Sequence, residues 1–114
     1  MNRIPFRFDQ KDGFVSVRGT VFLDGDTLVV ETAQALLQLV PFGKRTYRIP
    51  ADDIAHIAVE ASTLRKARLV VRPFEFGHVR GFPGETGGEI VLPIERKHRE
   101  AAEALVREAC LRNM

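Results

Sequence analysis

The chain has 114 residues, 45% hydrophobic and 28% charged, with 17 Lys and Arg against 15 Asp and Glu. That is an ordinary composition for one globular domain with one core, and a net charge of +2 is too slight to mark a nucleic-acid binder. No apolar run approaches the ~20 residues of a transmembrane helix, and a lone cysteine excludes an internal disulfide framework and fits a reducing, cytoplasmic compartment.

The opening stretch 1–13, MNRIPFRFDQKDG, has no secretory apolar core and reads as an N-terminal extension or an edge strand. An edge suits Pro5, which cannot donate to a ladder. Phe14 to Leu23 is the clearest strand, with Val15, Val17, Val21 and Leu23 alternating with Ser16, Arg18 and Thr20. Gly19 in its middle predicts a bulge or a bend. Asp24-Gly25-Asp26 predicts a tight hairpin turn, and Thr27 to Thr32 a return strand.

Residues 33–40, AQALLQLV, carry a helical spacing at Ala33, Leu36, Leu37 and Val40, yet are short enough to continue the strand. The following Pro41-Phe42-Gly43 turn favours a hairpin leading into Thr46–Ile49. Pro50 holds Ile49 extended, and Asp52 or Asp53 is placed to cap a single helical turn. Ile54 to Glu60 reads as a strand and Ala61-Ser62-Thr63 as a turn. Leu64 to Phe74 predicts a strand with Ala67, Leu69 and Val71 inward and Arg68 and Arg72 outward. The alternation runs on through Phe74, Phe76, His78, Arg80 and Phe82 into a mobile, glycine-rich hairpin loop at 81–88. In the last strand, Glu89 to Ile94, Ile90, Leu92 and Ile94 point inward and Pro93 marks an edge.

Arg96 to Arg112 has the longest helical period. His98, Ala101, Ala102, Leu105, Val106, Ala109 and Cys110 share one side, and Glu100, Glu103, Arg107 and Glu108 the other. Cys110 reads as a small core residue. Glu103–Arg107 and Glu108–Arg112 are spaced as stabilising i,i+4 pairs. The pattern is mainly β, about seven short strands in a sandwich or barrel with one helix covering an open end.

Three stretches carry a family resemblance: GTVFLDGDTLVVE (Gly19–Glu31), YRIPADDIAHIAV (Tyr47–Val59) and IVLPIERKHREAAEALV (Ile90–Val106). From about Val15 to Leu111 the chain resembles a bacterial pleckstrin-homology-like (PH-like) domain. The resemblance implies a single domain over 1–114. Its fold would be a partly open barrel of two near-orthogonal antiparallel sheets, seven strands in all, capped by the helix at 96–112. It also implies a non-enzymatic binding or scaffolding module, or a homo-oligomeric assembly. Relatives that bind phosphoinositides do so through basic residues flanking the first hairpin loop. That loop is read here as the acidic Asp24-Gly25-Asp26, so phosphoinositide binding there is not expected.

No catalytic residue, metal site or cofactor is expected. His56, His78 and His98 lack metal-ligand spacing. Asp24/Asp26 and Asp52/Asp53 sit at turns, where turn and capping roles account for them. Ser16, Ser62 and Cys110 lack a nucleophile elbow. The glycines of 77–88 form neither phosphate-binding fingerprint. The expected contacts for a protein or peptide partner are Arg65, Arg68 and Arg72 on one sheet and Phe82 in the loop. The partner would add a strand to a sheet edge or lie beside the C-terminal helix. One alternative is an apolar ligand between sheet and helix, walled by Leu69, Ile90, Leu92 and Leu105. Others are recruitment to an anionic membrane by basic strand residues and an enzyme with a site split between distant loops. Nucleic acid is not an expected partner, since the chain has no Trp and one Tyr.

Overall fold

Residues that alternate along a strand put one set on each face, and here the apolar sets of seven strands share one interior. The computed structural model describes residues 3–10, 12–37, 39–61 and 66–113. A four-stranded antiparallel sheet is ordered β1 (Ile4–Gln10), β2 (Val15–Asp24), β3 (Thr27–Leu36), β4 (Val40–Pro50). A three-stranded antiparallel sheet is ordered β5 (Ile54–Ala61), β6 (Lys66–Pro73), β7 (Ile90–Glu95). The helix α1 (Arg99–Arg112) follows β7 after a 3-10 turn at Arg96–His98. The two sheets are not joined into a closed barrel.

The core is what the alternation predicts. Ile4, Val17, Val21, Leu28 and Ile49 from the first sheet meet Leu69, Val71, Ile90, Leu92 and Ile94 from the second. Burying each such side chain contributes roughly 1.5–3 kcal/mol before entropy is counted. Ala67, Leu69 and Val71 are buried, while Arg68 and Arg72 are exposed.

The first residues form an edge strand, not an extension. β1 pairs with β2 from Ile4↔Val21 to Gln10↔Val15. The first hairpin turn therefore includes 12–14, and Asp24-Gly25-Asp26 is the second. Residues 33–36 continue β3, because Leu36 finds a ladder partner in Val15. The chain turns at Leu37, whose N–H donates to the Phe14 carbonyl at 2.8 Å.

Gly19 is a site of close approach with no bulge. Its register is unbroken, Phe6↔Gly19 and Gly19↔Thr32. A Cβ there would sit 1.8 Å from the Glu31 carbonyl oxygen and 2.8 Å from the Phe6 ring. The bulge in this sheet falls instead between Gln34 and Ala35.

The alternation through 74–82 does not produce a strand. After Pro73 the chain leaves the sheet and forms a 3-10 turn at Phe76–Val79. Asp53 causes this. Its carbonyl accepts the Phe74 N–H at 2.7 Å, its carboxylate accepts the Glu75 N–H at 3.2 Å, and the same carboxylate contacts His78 Nδ1. Asp53 thus lies in the 3-10 turn at Ala51–Asp53 but provides no side-chain cap to it. It holds a segment over twenty residues away. Val79 and Phe82 are buried as a result, while Phe74 and Phe76 stay exposed.

Helix α1 buries Ala102, Leu105 and Ala109 against β5, the corner at 51–53 and β2. That arc is narrower than the sequence pattern indicates. Cys110, one step around from Ala109, is exposed and not a core residue. Glu103 pairs back to Arg99 at 3.0 Å, where Arg107 was expected, and Glu108 lies 3.6 Å from Arg112 as expected. Asn113 Nδ2 donates to the Ile54 carbonyl at 3.3 Å and ties the helix end to β5. No helix is long and apolar enough to cross a membrane among the described residues.

Gly19→Ala is expected to lower unfolding free energy by at least about 2 kcal/mol, since a backbone oxygen cannot step aside as a flexible side chain can. Chemical denaturation of the two proteins measures the difference.

Candidate functional site

The sheets meet where the edge strands β1 and β7 come together, yet no ladder pairs those two strands. This seam opens into a groove of about 980 Å³. Phe8 and the two prolines Pro5 and Pro93, one on each edge strand, provide its exposed apolar surface, with the buried Ala67 and Ile94 beneath.

Its charged walls follow from register. Arg7 and Arg18 stand directly opposite each other across β1 and β2, so both project from the same face of the sheet into the groove wall. Neither has an ion-pair partner among the described residues. Lys66 and Arg68 line the other wall. Lys66 is the register partner of Glu95, and Arg68 lies 3.3 Å from Glu60. Asp9 and Glu95 are the lining carboxylates, so the groove carries an excess of cations.

The residues singled out in the sequence separate. Arg68 is in the groove. Arg72 shares its face but is 3.1 Å from Glu89 and does not line the groove. Arg65 lies outside the described residues. Phe82 is 3% exposed and packs on Phe6, Phe8 and Tyr47, with ring centroids 5.2 Å apart for the Tyr47 pair. It is a core residue, removed from any surface contact, because its ring fills the space behind Phe8. The proposed wall residues Leu69, Ile90, Leu92 and Leu105 are each at most 1% exposed. They line neither this groove nor the smaller cleft of about 200 Å³ between β5 and the end of α1.

Arg7 and Arg18 escaped the sequence reading, although a signal existed. Asp12-Gly13 has the composition of a tight turn, and counting outward from it pairs Gln10 with Val15 and Arg7 with Arg18.

Tyr47 packs edge-on against Phe82. Burial raises its phenol above the ordinary value, and the Arg45 guanidinium, 5.1 Å from the ring centroid, opposes the shift. The Asp53–His78 contact belongs to the corner described above. Among the described residues, no group of three His, Cys, Asp or Glu side chains gathers as a metal set would. Comparison with protein-family models, with curated proteins and with solved structures finds no match.

Two outcomes follow from this geometry. Arg18→Glu replaces a facing pair of like charges with an opposite pair, and should raise stability by up to about 1 kcal/mol in denaturant unfolding. Tyr47 is the chain's only tyrosine, so its ionisation reads directly in ultraviolet absorbance. Its raised folded-state pKa means its contribution is fully present below pH ~10 and is lost as pH rises through the folded value. Tyrosinate should therefore appear later in the folded protein than in denaturant, and Tyr47→Phe should remove that part of the alkaline loss of stability.

Proposed function

We propose that the chain is a non-catalytic, PH-like binding module that holds an extended, acidic segment of a protein partner along the β1–β7 seam. The observation that carries this reading is a pair of neighbouring sheet edges with no ladder between them, flanked by two arginines that have no ion-pair partner among the described residues. An unpaired edge offers a row of backbone donors and acceptors to an incoming strand. Strand addition takes its affinity from those bonds and its specificity from alternate side-chain pockets. The apolar surface of Phe8, Pro5 and Pro93 suits one side of such a strand.

The charge balance selects an acidic partner. Arg7 and Arg18 destabilise each other across the ladder, and an incoming carboxylate relieves both. Pro5 and Pro93 each remove a backbone donor from an edge, which works against direct pairing of β1 with β7. A polypeptide is favoured over single-stranded nucleic acid because the groove holds no exposed stacked aromatics, only the half-buried Phe8 with Phe6 beneath it. The arrangement of four and three strands with a closing helix supports the PH-like reading. The Asp53–His78 pair serves the corner, and this supports the non-catalytic one.

The test uses short fluorescent peptides that alternate Glu with Val, and matched peptides carrying Lys in place of Glu. The acidic peptide should bind and shift the amide resonances of β1 and β7. Arg18→Glu should weaken it by about tenfold or more, equivalent to about 1.4 kcal/mol. Arg72→Gln, outside the groove, should leave it unchanged. Equal binding of the Lys peptide, or shifts confined to the β5–α1 cleft, would overturn the reading.

A further inference from the structure

Successive residues of an antiparallel ladder turn their N–H and C=O groups to opposite neighbours, and this fixes which backbone groups β1 has free. The Leu37 N–H bonds the carbonyl of Phe14, just before β2, so the even-numbered residues of β2 are bonded to β3. Asp24, which closes a two-residue turn opposite Thr27, has the same parity. The odd-numbered Val15, Val17, Gly19 and Val21 are left for β1, where their partners are Gln10, Phe8, Phe6 and Ile4. Pro5, Arg7 and Asp9 therefore turn their backbone groups outward, to the seam. Pro5, with no N–H to give, agrees with this phase.

On β7 the phase is set by Pro93, the register partner of Arg68. A proline within an edge strand faces outward, so Val91, Pro93 and Glu95 carry the outward groups of β7. The two edges are unequal. β1 lines the groove from Pro5 to Asp9 and has two successive outward donors there, Arg7 and Asp9. β7 lines it from Pro93 to Glu95 and has one, the Glu95 N–H. The side chains differ as well. The Glu95 carboxylate lies 3.2 Å from Lys97. Arg7 and Asp9 are exposed on one face of β1 and have no ion-pair partner among the described residues.

We infer that the guest strand of the seam hydrogen-bonds to β1 and not to β7, runs antiparallel to it, and is selected by Arg7 and Asp9 together. This rests on the acidic-segment reading above and refines it. Antiparallel pairing gives two bonds at each outward residue and matches every ladder of the described residues. From Pro5 to Asp9 the edge is about 13 Å long, the length of four guest residues. Cross-strand partners share a face, so the guest residue opposite Arg7 is an acid and the one opposite Asp9 a lysine or arginine. The residue between them lies opposite Phe8, on the other face, and is apolar. The antiparallel direction places the residue opposite Asp9 first. The recognised segment thus has the order Lys-Val-Glu-Val and is not a uniform run of acids. Glu95, the carboxylate of the far wall, disfavours a second acid.

Two peptides of equal composition and charge test the inference on the full chain, one with the core Lys-Val-Glu-Val and one with Glu-Val-Lys-Val, flanked alike by threonines. The first should bind about tenfold tighter or more, because both ion pairs become like-charge contacts in the second. Amide hydrogen exchange should slow at Arg7 and Asp9 when it binds and stay unchanged at Val91 and Glu95. Asp9→Lys, at an exposed position, should reverse the preference there, so that Glu-Val-Glu-Val binds tighter than Lys-Val-Glu-Val. Equal affinity for the two orders, or tighter binding of the second, overturns the inference. So does slowed exchange at Val91 and Glu95 in place of Arg7 and Asp9. In each of these cases a peptide still occupies the seam and the broader reading stands. If neither these peptides nor the alternating Glu–Val peptide binds, both fall together.

Discussion

No backbone ladder crosses from one sheet to the other. Their relative placement depends on side chains alone, and three sets of contacts supply it. Leu69, Ile90, Leu92 and their partners fill the space between the inner faces. Phe82 wedges the β6–β7 connection against Phe6, Phe8 and Tyr47 on the first sheet. Asp53, at the corner between β4 and β5, holds the chain at Phe74–His78 where it leaves the second sheet. Helix α1 closes another region through Ala102, Leu105 and Ala109, the two alanines letting it lie close over β5 on either side of Leu105. A fold held this way is free to leave a seam open elsewhere, and it does so between β1 and β7.

The parts legible in the sequence are those governed by local periodicity. β2, β6 and β7, with their inward and outward sets, follow from a period of two. The parts that were not legible were decided by contacts distant in sequence. Residues 33–36 fit helix and strand equally, and only the pairing of Leu36 with Val15 settles the matter. The alternation from Phe74 to Phe82 is genuine, but hydrogen bonds from Asp53 override it. Phe82 sat among glycines and a proline, a context that hides a buried ring. Cys110 was misplaced because periodicity shows which side of a helix is apolar, and not how wide an arc the neighbouring sheet covers.

The groove was legible in part, and for a related reason. Arg68 was identified from its outward phase and does line the groove. Arg72, with the same phase, is neutralised by Glu89, a contact no spacing rule anticipates. Arg7 and Arg18 needed the register of the first hairpin, which in turn needed β1 to be recognised as a full strand. Outward phase says only that a residue meets solvent. Whether its charge remains available is set by its cross-strand neighbours, and these favour Arg7 and Arg18 over the arginines of β6.

The open seam also bears on how the molecule assembles. Among the described residues every ladder joins strands adjacent in sequence, and all but β6–β7, which spans 74–89, close a short loop at a small cost in chain entropy. The seam joins Ile4–Gln10 to Ile90–Glu95 and closes almost the whole chain. Its entropy of closure is the largest in the fold, and no ladder hydrogen bond offsets it. The hairpins are therefore the local contacts of the fold, and the seam is a contact of very high sequence separation. Parting it in the native state disturbs packing but breaks no ladder.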